Sequence, residues 1–325
     1  THGHPLFTIE LLRGMQERGD LQQDQDGFWV EGSSLDWETL PARVEAVIAE
    51  RIARLPQPLR SMLRTASVEG EVFTAEVVAG VQKTTGDQIL GELSRNLDKR
   101  HHLIQTQSVL RVKHQLLSRY RFRNILIQKY LYNSLDEVER VHLHEQVGAA
   151  LENLYSIEGK VSVDTGIAPQ LARHFQESWN FEKAVHYLHL SGEKAVQLSA
   201  YQEARAHLYR AMELLMSLPE SPQRDEQELA LQIALSIAWK GYPSQEWEDA
   251  CNRTLELSRQ LGNIPQRCLV LSDLAIIYYV RAEYQQACQF TEEALQVAEQ
   301  AEDPLLESMA HWVFGVLHFG MAEYA

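Results

Sequence analysis

The side chains of this sequence best equipped for chemistry are its thirteen histidines, three cysteines and a dense run of bases. His142 and His144, in "VHLHEQ", resemble a ligand pair, but two positions on a helix turn through about 200°, so one ion cannot take both without distortion. Nor is the string HExxH, where two histidines one turn apart hold zinc and a glutamate serves as base. These rings read as solvated or packed. His101 and His102 open a strand and face opposite sides of it. Cys251, Cys268 and Cys288 are odd in number, lack CxxC spacing and fall in helical segments, which suggests neither a disulfide framework nor a zinc site. No histidine is placed beside a cysteine to activate it, and there is no GxSxG elbow. There is no GxxxxGK[ST] loop either: "SGEKA" lacks the glycine five residues before Gly192 that a phosphate cradle requires. The expectation is a chain with no metal site, no catalytic residues and no ATP hydrolysis of its own.

Charge points to binding instead. Between residues 95 and 129 stand Arg95, Lys99, Arg100, Arg111, Lys113, Arg119, Arg121, Arg123 and Lys129 against the single acid Asp98, in a chain of formal charge −15 with 45 acids and 30 bases. The whole-chain field repels nucleic acid and anionic membranes, while a local patch can still attract an anion. The patch has three readings: a winged helix gripping nucleic-acid phosphate, a dock for an acidic domain or nucleotide phosphates, or a solvated face. The dock is preferred, and nucleic acid is not the expected partner.

The elements that must position these groups come from periodicity. Val44, Val47, Ile48, Ile52 and Leu55 recur at helical spacing, and Pro56 and Pro58 restart the chain into a second helix. "TAEVVAGV", after a Thr74 cap, and "GDQILGELSRNLDKR" read as short helices. "HLIQTQ" and "SRYRFR" read as strands joined by residues 108–117. Helices followed by a hairpin suggest a winged helix. Long helices return from Ile125, one opened by Asp136, whose carboxylate suits a helix N-terminus.

From about residue 168 a repeat emerges. Leu274, Ala275, Tyr278, Tyr284, Ala287 and Ala294 match a tetratricopeptide helix pair. Ala238 and Ala250 keep the twelve-residue spacing of Ala275 and Ala287, with Gly315 in the equivalent slot forty residues after Ala275. Upstream, Ala184, Ala204, Leu208 and Ala211 carry the second-helix pattern. Small residues are expected there because the paired helices touch. Relative to these slots, Trp239, Tyr242, Ile276, Tyr279, Trp312 and Phe319 fall on the first helix of each pair, the helix that lines the inner groove of such arrays, as candidates to hold a protein or peptide. They could equally fill space between repeats. About five repeats are counted, the last cut off, and the bare face around Trp312 and Phe319 suggests self-association. "LVLSDLAIIYYV", about twelve residues and carrying Asp273, is too short and polar to span a bilayer. No membrane is expected, and a reducing cytoplasm suits the thiols.

"GHPLFTIELLRGM", "LDWETLPARVEAVIAERIARLPQPLRSMLRTASVEGEVFTAEVVAGVQ" and "RYRFRNILIQKYLYNSLDEVERVHLHE" together resemble bacterial signal-transduction ATPases of the STAND type, in which a nucleotide-binding module precedes a winged helix and tetratricopeptide repeats, often beside a cyclase or transcriptional-activator domain. The resemblance implies a mainly α chain: 1–40, the end of an ATPase core and a connecting helix; 41–124, a winged-helix-like domain with a small β-hairpin; 125–167, a helical linker; and 168–325, an α-solenoid of tetratricopeptide-like pairs. It places Gly3 and Pro5 near bound adenine, with Asn124 at a nucleotide-sensing position. The family usually has Asn before that proline and His after "RFR", where this chain has His4 and Asn124, which puts the sensing role in doubt. The implied role is a regulatory and sensing arm, with ATP or ADP bound by a core upstream of Thr1 and the winged helix docked on it. A stand-alone adaptor or a nucleic-acid-binding regulator are the alternatives.

Overall fold

The computed structural model describes residues 42–112, 115–157, 160–161, 166–241 and 244–322, with 9, 12, 16, 21–23 and 28–31 before them. Gly3, Pro5, Lys113 and Tyr242 lie outside the described residues. Contacts divide the chain into two units, one within Thr1–Val161 plus His174–Asn180, the other within Ser162–Arg173 plus Phe181–Ala325.

In the first unit, β1 (Leu21–Gln23) and β2 (Trp29–Glu31) form an antiparallel pair. Helix α1 (Ala42–Ala53) buries Ile48 and Ile52, and Leu55 follows them into the core. Pro56 occupies the N-cap of α2 (Gln57–Glu69) and Pro58 its first turn, where a missing N–H costs nothing. Then come β3 (Val72–Thr74), α3 (Ala75–Val81), α4 (Gly86–Glu92) widening into a π-helix over Leu93–Arg100, and the hairpin of β4 (Ile104–Val112) and β5 (Gln115–Phe122). The sheet runs β3-β5-β4, all antiparallel, which makes the segment winged-helix-like.

Four details differ from the sequence expectation. β3 is new: it pairs Phe73 with Tyr120, but three residues are too few to show alternation. The hairpin continues through the supposed connection at 108–117, with a bulge between Thr106 and Ser108; Val109 and Leu116 are exposed there and Leu117 is the one buried side chain among the described residues of that stretch, too few to mark a face. His101 and His102 precede the strand, His102 in the left-handed region at φ 51°. Thr74 does sit at the N-cap of α3, yet its hydroxyl donates to Glu69 (2.8 Å), as does its N–H (2.9 Å), giving the buried carboxylate partners in place of a cap. Leu63, Phe73, Ile89, Leu97 and Phe122 are fully buried, with the Phe73 and Phe122 rings 5.3 Å apart.

Helix α5 (Ile125–Asn133) is capped by Asn124, whose side chain accepts from the Leu126 N–H at 2.9 Å, and α6 (Glu137–Tyr155) by Asp136, which accepts from the Glu139 N–H at 2.8 Å.

The repeats comprise α7 (Ala168–Glu177), α8 (Phe181–Gln197), α9 (Tyr201–Met216), α10 (Pro222–Trp239), α11 (Gln245–Gln260), α12 (Ile264–Val280), α13 (Tyr284–Ala301) and α14 (Pro304–Ala322). Their turns repeat one device. Trp179, Ser199 and Ala282 adopt positive φ (60°, 58° and 62°), and the next N–H reaches back five residues: Asn180 to Phe175, Ala200 to Ala195, Glu283 to Tyr278, at 2.8–2.9 Å. This is a Schellman closure, which satisfies carbonyls left open at the helix end. Ala184, Ala204 and Ala287 are fully buried, each three residues after the first residue of the following helix, as small residues at a close approach should be. Gly192 is a further such point, since a Cβ there would lie 2.7 Å from Leu208.

Gly315 does not belong to this set. It is exposed with nothing within 4 Å of a Cβ, and the small buried residue on α14 is Ala310, which displaces the register assumed for the last repeat. Polar ties link neighbouring helix pairs: Arg205 to the Ala238 carbonyl, Lys240 to Asp273, Arg281 to Glu248 and Arg259 to Glu293. The helix pairs begin at Phe181, Pro222, Ile264 and Pro304, 40 to 42 residues apart, so each tie joins different positions of neighbouring repeats.

Candidate functional site

Helices α8, α10, α12 and α14 each turn one face to a common groove. At one end, about 500 Å³ is bordered by Ile233 and Ile237 of α10 with Lys240 at its C-cap, Leu269, Asp273 and Ile276 of α12, and Met309, Trp312 and Val313 of α14. A second depression shares Ile233 and Ile237 and adds His189, Glu193 and Val196 of α8. A third shares His189 and adds His186 and Glu226. The shared residues make one channel over four helices. α8 therefore stands in the row of first helices although its sequence carries the second-helix pattern.

Side chains three or four apart on one helix share a face, which is how Ile233 with Ile237 and Asp273 with Ile276 reach the groove together. Lys240 and Asp273 form an ion pair at 2.7 Å; with the lysine half exposed, it contributes about 0–1 kcal/mol to stability. The pair places charge in an end that Ser236, Gln266, Ser272 and Ser308 also line beside the apolar side chains.

Of the residues anticipated for partner binding, Ile276 and Trp312 line the groove, Trp312 at 67% exposure. Trp239 lies in a separate open depression with Arg205 stacked 4.0 Å above its ring, and its Nε1–H donates to Tyr209 Oη at 3.1 Å. Tyr279 packs against Ala275, Val313 and Leu317, its hydroxyl in the space that a side chain at Gly320 would need. Phe319 is exposed on α14 and does not line the channel. Ile233, Ile237, Leu269 and Met309 were missed because the repeats were aligned on small residues; the one-turn spacing of Ile233 and Ile237 was the available signal.

The basic run is dispersed. Arg121 donates to Glu71 through Nε (2.8 Å) and Nη2 (2.6 Å), and Arg123 donates to Asp98 (2.7 Å) and to the Ile104 carbonyl (2.8 Å). Arg95, Lys99 and Arg100 lie on the π-helix, Arg111 on β4 and Arg119 on β5, with no ion pair recorded for any of them among the described residues. Asn124 is buried in its capping role.

His142 is exposed and His144 buried, with Nδ1 3.0 Å from His174 Nδ1 and Nε2 3.0 Å from Tyr132 Oη. One proton between the two Nδ1 atoms satisfies that contact, so the pair packs α6 against this part of α7. Among the described residues no group of three or more His, Cys, Asp and Glu could hold a metal. Burial, and then Asp273, pushes the Cys251 thiol above its usual range, and burial does the same to Cys268, so neither is an activated thiolate at neutral pH. No described helix is long and apolar enough to cross a membrane.

No known family profile matches the chain. It is similar to an uncharacterized protein of Rhizobium meliloti (strain 1021), 26% identical over 263 residues, which make up 79% of this chain and 24% of that protein. The chain thus spans about a quarter of the length of the curated relative it matches. Among solved structures it is similar to a Signal Transduction ATPase with Numerous Domains (STAND) protein with a tetratricopeptide repeat sensor from Pyrococcus horikoshii, with a TM-score of 0.39 and 13% identity, over 86% of this chain and 50% of that one. At that score the fold rests on the helix packing described above rather than on the likeness.

Proposed function

We propose that this chain is the sensing arm of a larger cytoplasmic signalling ATPase, capturing a protein or peptide along its repeats and controlling the ATPase core through the winged-helix-like segment. The observation that carries this is the channel: four helices present apolar side chains to one continuous concavity, with Trp312 largely exposed in it. The motif blocks that resemble STAND ATPases support the coupling to ATP or ADP, with Gly3, Pro5 and Asn124 on the nucleotide side. The bases without recorded acids, Lys99, Arg100 and Arg111 among them, suit docking onto an acidic core. The chain's own activity is binding.

A ligand shifts such an equilibrium only through different affinities for the two states, and the coupling is reciprocal. Nucleotide bound to the longer protein must therefore change the groove. Hydrogen exchange of the α10 and α12 amides, compared with ADP and with a non-hydrolysable ATP analogue, is expected to differ. Identical exchange in both states would remove the regulatory role and leave a constitutive adaptor.

A further inference from the structure

The channel is asymmetric in charge. Reading α10 along its groove face gives Glu226, Ala230, Ile233, Ile237 and Lys240. Among the described residues, Lys240 is the only lysine or arginine lining the three depressions, and it pairs with Asp273. At the other end Glu193 and Glu226 face the channel with only His186 and His189 beside them. His189 Nε2 lies 3.6 Å from Glu193 Oε1. Burial pushes that imidazole below its usual range, against the pull of Glu193, so it supplies no counter-charge at neutral pH. The result is a mainly apolar end closed by an ion pair and an acidic end where, among the lining residues, the bases are two histidines.

We propose that the groove takes a cationic amphipathic peptide segment, with large apolar side chains against Ile237, Ile276 and Trp312 and its lysines or arginines at Glu193 and Glu226. This rests on the groove reading above and names its partner class. Four helices at about 8–10 Å spacing make a channel too long for a small metabolite and suited to an extended or helical chain segment. Glu226 and Ile237 are eleven residues apart on α10, about 16.5 Å at 1.5 Å per residue, so a helical partner lying along α10 needs its cation about three turns from its apolar anchor. The charge asymmetry sets the direction in which the segment lies.

The test uses the full chain and two labelled synthetic peptides of about sixteen residues with identical leucine positions, one carrying lysines and the other glutamates at the polar positions, read by fluorescence anisotropy. The lysine peptide is expected to bind about tenfold more tightly at low salt. The double variant Glu193→Gln, Glu226→Gln should remove that preference while leaving the glutamate peptide no weaker, and Trp312→Ala should weaken both peptides. Equal binding of the two peptides, still weakened by Trp312→Ala, would overturn the cationic class and leave the groove reading standing. Binding of neither peptide would overturn both. A preference that survives the double variant would place charge recognition outside the groove and also overturn the proposal.

Discussion

Phe73 and Phe122 are fully buried across the sheet of the first unit, whereas Trp312 and Phe319 stand 67% and 70% exposed on α14 of the second. The contrast follows from the range of the contacts. In the first unit, β3 meets β5 about fifty residues later, and Glu71 reaches Arg121, so its aromatic and charged side chains are committed to closing the fold. In the repeats each helix meets mainly its neighbours, small residues set the spacing, and large side chains such as Trp312 remain exposed. The charges divide in the same way: Arg121 and Arg123 are tied to acids of their own unit, while Glu193 and Glu226 face the channel.

The sharpest way to break this comparison is Phe73→Ala. Its ring is fully buried between Phe122 (5.3 Å) and Tyr120 (6.0 Å), so the substitution should cost about 3–5 kcal/mol, read as faster hydrogen exchange in β5. A loss below about 1 kcal/mol would mean that the sheet is not the core of that unit. The nearest equivalent in the repeats is electrostatic. Glu228, 3% exposed, is clasped by Arg253 Nε at 2.6 Å and Nη2 at 3.0 Å. Arg253→Ala strands a buried carboxylate at a cost of about 3 kcal/mol, and adding Glu228→Gln should recover much of it in denaturant melts.

Two glycines test whether close approach is what small residues provide. Gly192→Ala puts a methyl 2.7 Å from Leu208 and should cost about 1–3 kcal/mol. Gly315→Ala, in an exposed helical position with open space, should stabilise by about 0.5–1 kcal/mol. Equal effects would refute the distinction.

Acid probes the ties between repeats. Burial raises the Glu248 carboxyl, but hydrogen bonds from Tyr278 and Arg281 outweigh it and hold the group below its usual value; Glu293 behaves alike between Arg267 and Arg259. Both bind protons less readily folded than unfolded. Their contribution is therefore complete above the ordinary value of 4.5 and is lost as pH falls below it. Melts of Glu248→Gln across pH 3–6 should show a flatter dependence than the wild-type chain, and an unchanged slope would mean that this carboxylate is not linked to folding.

What could be read from the sequence was local. Pro56 and Pro58 marked a helix boundary, Asp136 a cap, and Ala184, Ala204, Ala250 and Ala287 the buried small positions, because each acts within a few residues of itself. β3, the Glu71 partner of Arg121, and His174 beside His144 were hidden because the chain must fold before those groups meet. The groove lay between these cases. Ile276 and Trp312 could be picked from the repeat, but Tyr279 is equally aromatic and is taken up in packing, since only the helix crossings decide which face of α12 stays open.

Trp312→Ala carries the smallest expected effect on stability and the most information. The side chain is as large as any in the chain, yet at 67% exposure its removal takes little apolar area out of the fold. The midpoint of denaturation should move by no more than about 0.5 kcal/mol, an order of magnitude below Phe73→Ala for a comparable loss of aromatic volume. A cost above about 1 kcal/mol would make Trp312 part of the solenoid core and erase the contrast between the two units. With stability unchanged, the place to read the contribution of that ring is the peptide titration of the proposed complex, where its removal is expected to cost about 2 kcal/mol or more, as for tryptophans at the centre of interfaces.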